Sequence, residues 1–205
     1  MAKILARSIS LVFQPLAMPT LVFAFFLFLM PDWVFQLALP KIYVFLLVLL
    51  TTLVIPLISL LLMRLTKSIS SFHMEKREER ILPFTVISLY YVMTSYLFYL
   101  KVAVDYRMMF ALSVMTVCVV LLTGITFFWK ISAHMIGVSG LLGIVMYFSI
   151  KYPSLEMVNY VLMLIIFTGA VASARLYLHA HTPGEIYAGF FLGFTLCFGA
   201  FYYMF

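Results

Sequence analysis

Residues Ile42–Met63 read IYVFLLVLLTTLVIPLISLLLM, an uncharged run long enough to cross the hydrocarbon of a bilayer as one helix. Spanning a membrane takes about 20 apolar residues in a helix, because only a helix or a closed barrel satisfies its own backbone hydrogen bonds in lipid. Applied outward from this run, the same rule finds six more segments: Leu11–Met30, Pro83–Leu100, Met108–Trp129, Met135–Ile150, Met157–Ala172 and Gly184–Tyr203. The expected fold is therefore all-α, a polytopic transmembrane bundle of about seven spans. Several links are short, and no repeat, low-complexity tract or linker divides the chain, so residues 1–205 read as one membrane-embedded domain.

Composition agrees. Of the residues 66% are hydrophobic and only 10% charged, where a soluble fold carries about a quarter charged residues. The basic amino-terminal stretch Met1–Arg7 runs straight into apolar sequence without a small-residue cleavage site, so it reads as the start of a first span and not as a removable signal. Cys118 and Cys197 sit inside apolar runs and read as small core residues, not as a disulfide pair. The net charge of +6 fits contacts with lipid headgroups, the expected partners being membrane lipids and not nucleic acid.

Seven crossings put the amino terminus and the links 64–82, 130–134 and 173–183 on one side. That side holds all four histidines, His73, His134, His179 and His181, and nine of the 13 basic residues, among them Lys76, Arg77, Arg80, Lys130 and Arg175. Positive-inside bias accounts for lysine and arginine at one face but not for histidine, so the clustering points to a site.

The densest local pattern is Ala174-Arg175-Leu176-Tyr177-Leu178-His179-Ala180-His181-Thr182-Pro183-Gly184-Glu185. Pro183 and Gly184 break one helix from the next. A carboxylate four residues after His181 can bond one ring nitrogen and leave the other as nucleophile or base. The guanidinium of Arg175 offers a planar fork of donors suited to phosphate.

This stretch resembles the third motif of the type 2 phosphatidic acid phosphatase superfamily: Ser-Arg, five residues, His, three residues, Asp. Arg175, His181 and Glu185 meet its spacing, with Ala174 in place of serine and Glu185 in place of aspartate. Ile131-Ser132-Ala133-His134 resembles the second motif, Pro-Ser-Gly-His, without its proline and glycine. The run Glu75–Pro83 resembles the first motif, Lys, six residues, Arg-Pro, only loosely. The motif-bearing part covers about residues 73–195.

The resemblance implies a lipid phosphatase that uses no metal or other cofactor. In it His181 is the nucleophile, Glu185 orients it and His134 protonates the leaving oxygen. Arg175, Arg80, Lys76 and Ser132 then bind the substrate phosphate, a phosphomonoester or diphosphate on a lipid. Phosphate transfer to another lipid would use the same residues, and the departures at Ile131, Ala174 and Glu185 also fit a relative that has lost activity.

Sidedness depends on how the charges are counted. Counted in full, the basic residues place this face in the cytoplasm. With Lys76, Arg77, Arg80, Lys130 and Arg175 set aside as catalytic, four remain on each side. The resemblance then implies the outer face of a bacterial inner membrane.

Two other chemistries compete. Gly137-Val138-Ser139-Gly140 with His181 fits an intramembrane serine protease of the rhomboid type, although that reading leaves Arg175 and Glu185 unexplained. His179, His181 and Glu185 fit a metal site only if the two histidines lie in a loop, since residues two apart on a helix diverge by about 200°.

Overall fold

The structure, a computed structural model, describes every residue except 72, 73, 75 and 76. The described residues form helices and turns without strands, and seven stretches are long and apolar enough to cross a membrane. These are Ala2–Leu29, Lys41–Leu65, Glu78–Lys101, Tyr106–Thr126, Ala133–Lys151, Val158–Tyr177 and Pro183–Met204. The chain is all-α, as its hydropathy predicts. It groups into two compact units, one of residues 1–18 with 130–205 and one of residues 19–129.

The first unit contains α1 (Ala2–Val12), α7 (Ala133–Lys151), α8 (Val158–Tyr177) and α9 (Pro183–Met204). Most of α7 is buried, whereas α8 and α9 are mostly exposed, so α7 is the central helix of the unit. Its seam with α9 is built on small residues, which let two backbones approach and gain dispersion contact in a solvent as apolar as the side chains themselves. A Cβ at Gly193 would collide with the Ile136 carbonyl and the Ser139 hydroxyl. One at Gly189 would lie 2.7 Å from the Ser132 carbonyl, and Cys197 packs on Gly140. Glycines four residues apart on α9 thus fix its register against α7. Ser139 is fully buried in this seam, its hydroxyl 3.4 Å from the Ile136 carbonyl, and acts there as a small packing residue.

The first expected span, Leu11–Met30, begins earlier and is broken. Helix α1 stops at Val12, Gln14 is extended, and a single 3-10 turn covers Pro15–Ala17 before α2 (Met18–Ala24). Pro15 causes the break: its ring disfavours helical backbone at the residue before it and removes a donor. Met18 then packs against Gly137 of α7.

The second unit contains the rest of α2, then α3 (Lys41–Leu49), α4 (Ile55–Leu65), α5 (Glu78–Lys101) and α6 (Tyr106–Thr126). A wider π-type turn over Leu50–Val54 joins α3 to α4 just before Pro56. The looser turn accommodates the proline ring, which would otherwise meet the carbonyl of Thr52. Hydroxyl pairs link the helices: Ser88 with Thr123 and Ser95 with Thr116, each at 2.7 Å, and Ser59 with Tyr90 at 2.8 Å. Such bonds contribute about 0.6 kcal/mol each in a membrane.

At the start of α6, Asp105 caps the helix by accepting from the Arg107 N–H at 2.9 Å and pairs with the Arg107 guanidinium at 3.0 Å. Burial pushes its carboxyl upward, but hydrogen bonds from Arg107 and from the Gln36 N–H outweigh that and hold it below the ordinary carboxylate value.

Helix α5 begins five residues before the expected Pro83. Glu78 and Glu79 occupy its first turn, where carboxylates favour a helix amino terminus, so the end of the expected link 64–82 is helical.

Candidate functional site

Three of the expected elements meet at one end of the first unit. The end of α8, the loop 178–182 and the start of α9 form one continuous turn, and the start of α7 packs beside it. Helix α8 ends in a Schellman arrangement: the Ala180 N–H donates to the Arg175 carbonyl at 3.1 Å and the His179 N–H to the Leu176 carbonyl at 2.9 Å. This motif needs a left-handed residue after the cap, usually glycine, and His179 takes that place with φ 50°. His179 is exposed and its role is backbone geometry.

The next helix starts two residues later. Thr182 and Glu185 form a capping box, the Glu185 N–H donating to the Thr182 hydroxyl at 3.4 Å and the Thr182 N–H to Glu185 Oε2 at 3.2 Å. The same Oε2 lies 2.7 Å from His181 Nδ1. A carboxylate only accepts, so Nδ1 carries the proton and the ring lone pair sits on Nε2. The side chain of His181 is 1% exposed and that of Glu185 11%. Glu185 thus orients the histidine while satisfying its own helix end. The pattern Thr-x-x-Glu before an apolar run was a readable signal for this cap, and Thr182 was missed in the sequence.

Arg175 lies in the last turn of α8, 9% exposed. Its Nε is buried and makes no hydrogen bond among the described residues. A buried guanidinium N–H without an acceptor costs about 1–3 kcal/mol. Ala174, where the family motif has serine, is buried beside it and offers no hydroxyl.

Ser132 is the N-cap of α7. Its hydroxyl accepts from the Met135 N–H at 3.4 Å, and its own N–H donates to the Glu185 carbonyl at 3.3 Å. The starts of α7 and α9 are therefore joined main chain to main chain. His134 follows in the first turn of α7, half-buried, with Nε2 3.2 Å from the Ser10 carbonyl of α1. A carbonyl only accepts, so this nitrogen carries a proton. Nothing in the sequence pairs residue 10 with residue 134.

Arg77 and Arg80 belong to the second unit. Arg80 is buried and its Nε donates to the Met74 carbonyl at 2.9 Å, while Arg77 donates to the carbonyls of Phe127 and Phe128 at 3.0 and 3.1 Å. Lys76 and His73 lie outside the described residues. Among the described residues no three His, Cys, Asp or Glu side chains form a group able to hold a metal ion.

No family model matches the chain, and no curated protein and no solved structure matches it.

Proposed function

We propose that the chain is a membrane-bound lipid phosphatase of the type 2 phosphatidic acid phosphatase kind, hydrolysing a phosphomonoester or diphosphate headgroup through a phosphohistidine. The observation that carries this reading is the buried pair His181 Nδ1 and Glu185 Oε2 at 2.7 Å, with the unpaired Nε of Arg175 at the end of the helix leading into it.

The lone pair on His181 Nε2 attacks phosphorus in line. The phosphorus–oxygen bond to the lipid breaks, its electrons stay on oxygen, and that oxygen takes a proton from His134. The Nε2 hydrogen of His134 faces the Ser10 carbonyl at rest, so this contact exchanges for the leaving oxygen during the step. A water that returns its proton to His134 then attacks phosphorus. The phosphorus–nitrogen bond breaks, the pair returns to His181, and phosphate leaves.

Charge on the equatorial oxygens falls to Arg175, to Ser132 and to the backbone amides at the start of α7. Glu185 stabilises the histidine as positive charge develops on it. With the remaining basic residues evenly divided, the resemblance favours a site at the outer face of a bacterial inner membrane.

The serine protease reading is the weaker one, because Ser139 is fully buried in the α7–α9 seam with its hydroxyl directed to Ile136. Phosphate release from lipid phosphates by the purified protein should survive EDTA and be inhibited by vanadate. Loss of release in EDTA, with rescue by a divalent ion, would overturn the metal-independent mechanism.

A further inference from the structure

Three contacts set the path of α1 across the first unit. The Phe13 ring lies 5.1 Å from that of Phe167, Ile9 packs on the apolar cluster of Met135, Val138, Val171 and Ile186, and the Ser10 carbonyl lies 3.2 Å from His134 Nε2. As the chain is followed back from Phe13 to Ile9, its neighbour on α8 moves forward from Phe167 to Val171. Helix α1 therefore packs antiparallel to α8, and its start points to the end of the unit that holds the candidate site. Met135 follows His134 and Ile186 follows Glu185, so this stretch of α1 adjoins both.

Ala6, Ile9, Ser10 and Phe13 recur at three and four residues and form the packed face of α1, with Ala6 buried. Lys3, Arg7 and Ser10 recur at four and three residues and form its polar edge. Lys3 and Arg7 are exposed and make no ion pair or side-chain hydrogen bond among the described residues. Arg7 stands about 9 Å along α1 from Phe13, and Arg175 about 12 Å along α8 from Phe167. The two arginines thus lie at nearly the same height, and Arg7 is one turn from the carbonyl that meets His134.

A phosphomonoester carries about 1.5 to 2 negative charges near neutral pH, and Arg175 supplies one positive charge. Of the other basic residues in this unit, Lys151 donates to the Phe205 carbonyl and Lys130 already has a partner in the fold.

We propose that Arg7 is a second phosphate-binding residue of the candidate site, meeting from α1 the charge that Arg175 leaves unmatched, an inference that rests on the phosphatase reading. The planar fork of its guanidinium suits two phosphate oxygens at once. Burial divides the work between the two arginines. Arg175, out of water, acts most strongly on charge developing in the transition state, whereas Arg7, hydrated when the site is empty, contributes chiefly to holding the phosphate.

The test uses the full chain in neutral detergent, so that no charged lipid surface concentrates the ligand. Calorimetry measures binding of inorganic phosphate, and phosphate release from the soluble dihexanoyl phosphatidic acid gives KM. Arg7→Met should weaken phosphate binding and raise KM by about tenfold each, with an unfolding midpoint close to wild type because the side chain is exposed. Arg7→Lys should fall between the two. Lys3→Met removes the same charge about 6 Å farther along the helix and, with salt screening at 0.15 M, should change either quantity by less than about twofold. Equal effects at Lys3 and Arg7, or no effect at Arg7 while the wild type binds phosphate, overturn the assignment and leave the phosphatase reading standing. Arg7-dependent binding of phosphate without any release supports the assignment and removes the hydrolase reading instead. A wild type that neither binds inorganic phosphate nor releases it from the lipid overturns both.

Discussion

The main-chain N–H of Ser132 donates to the carbonyl of Glu185 at 3.3 Å. Glu185 is thereby engaged at both ends: its carboxylate holds His181 and the start of its own helix, and its carbonyl holds the start of α7. The oriented histidine and the helix that carries His134 are fastened to one residue, which ties their spacing to the register of the α7–α9 seam.

The two duties of Glu185 separate by substitution. Glutamine still suits the third position of a capping box, so Glu185→Gln should leave the unfolding midpoint close to wild type. It cannot stabilise charge on His181, and phosphate release should fall at least about 10²-fold. Aspartate, which the family motif uses, should retain much of the activity. Thermal unfolding in detergent beside phosphate release measures both, and equal activity in the glutamine variant would deny the carboxylate its role.

Arg175 should show the opposite balance. Methionine fills similar space without an unpaired donor, so Arg175→Met should match or exceed wild-type stability while phosphate release drops about 10²–10³-fold. Lysine should rescue poorly, since a point charge lacks the planar fork. A variant that loses stability and activity together would indicate a structural arginine.

His179 is predicted to be dispensable for chemistry. Its left-handed backbone costs a non-glycine residue about 1–2 kcal/mol, so His179→Gly should be as stable as wild type or more so, with unchanged phosphate release. A large loss of activity would return His179 to the site and revive the metal reading.

How far the sequence reached depends on which kind of interaction was at stake. The seven spans were legible because twenty-odd apolar residues have no soluble alternative, and the His181–Glu185 pair because it is local, one helical turn across a Pro-Gly break. The break in the first span was not, since Phe13, Leu16 and Met18 are as apolar as the helix around them and hide the turn at Pro15. Arg80 Nε meets the Met74 carbonyl, a backbone partner that no spacing rule singles out. The Ser10–His134 contact and the fit of Gly193 against Ile136 are long-range packing, which leaves no local periodicity to read.

The central claim is that His181 and Arg175 act on a phosphate, and the most direct measurement compares three substitutions in one assay of phosphate release from a panel of lipid phosphates in EDTA. Wild type and Ser139→Ala should release phosphate at similar rates, while His181→Ala and Arg175→Ala should release essentially none. No release from any lipid phosphate by the wild type, or loss with Ser139→Ala while Arg175→Ala remains active, would contradict the account.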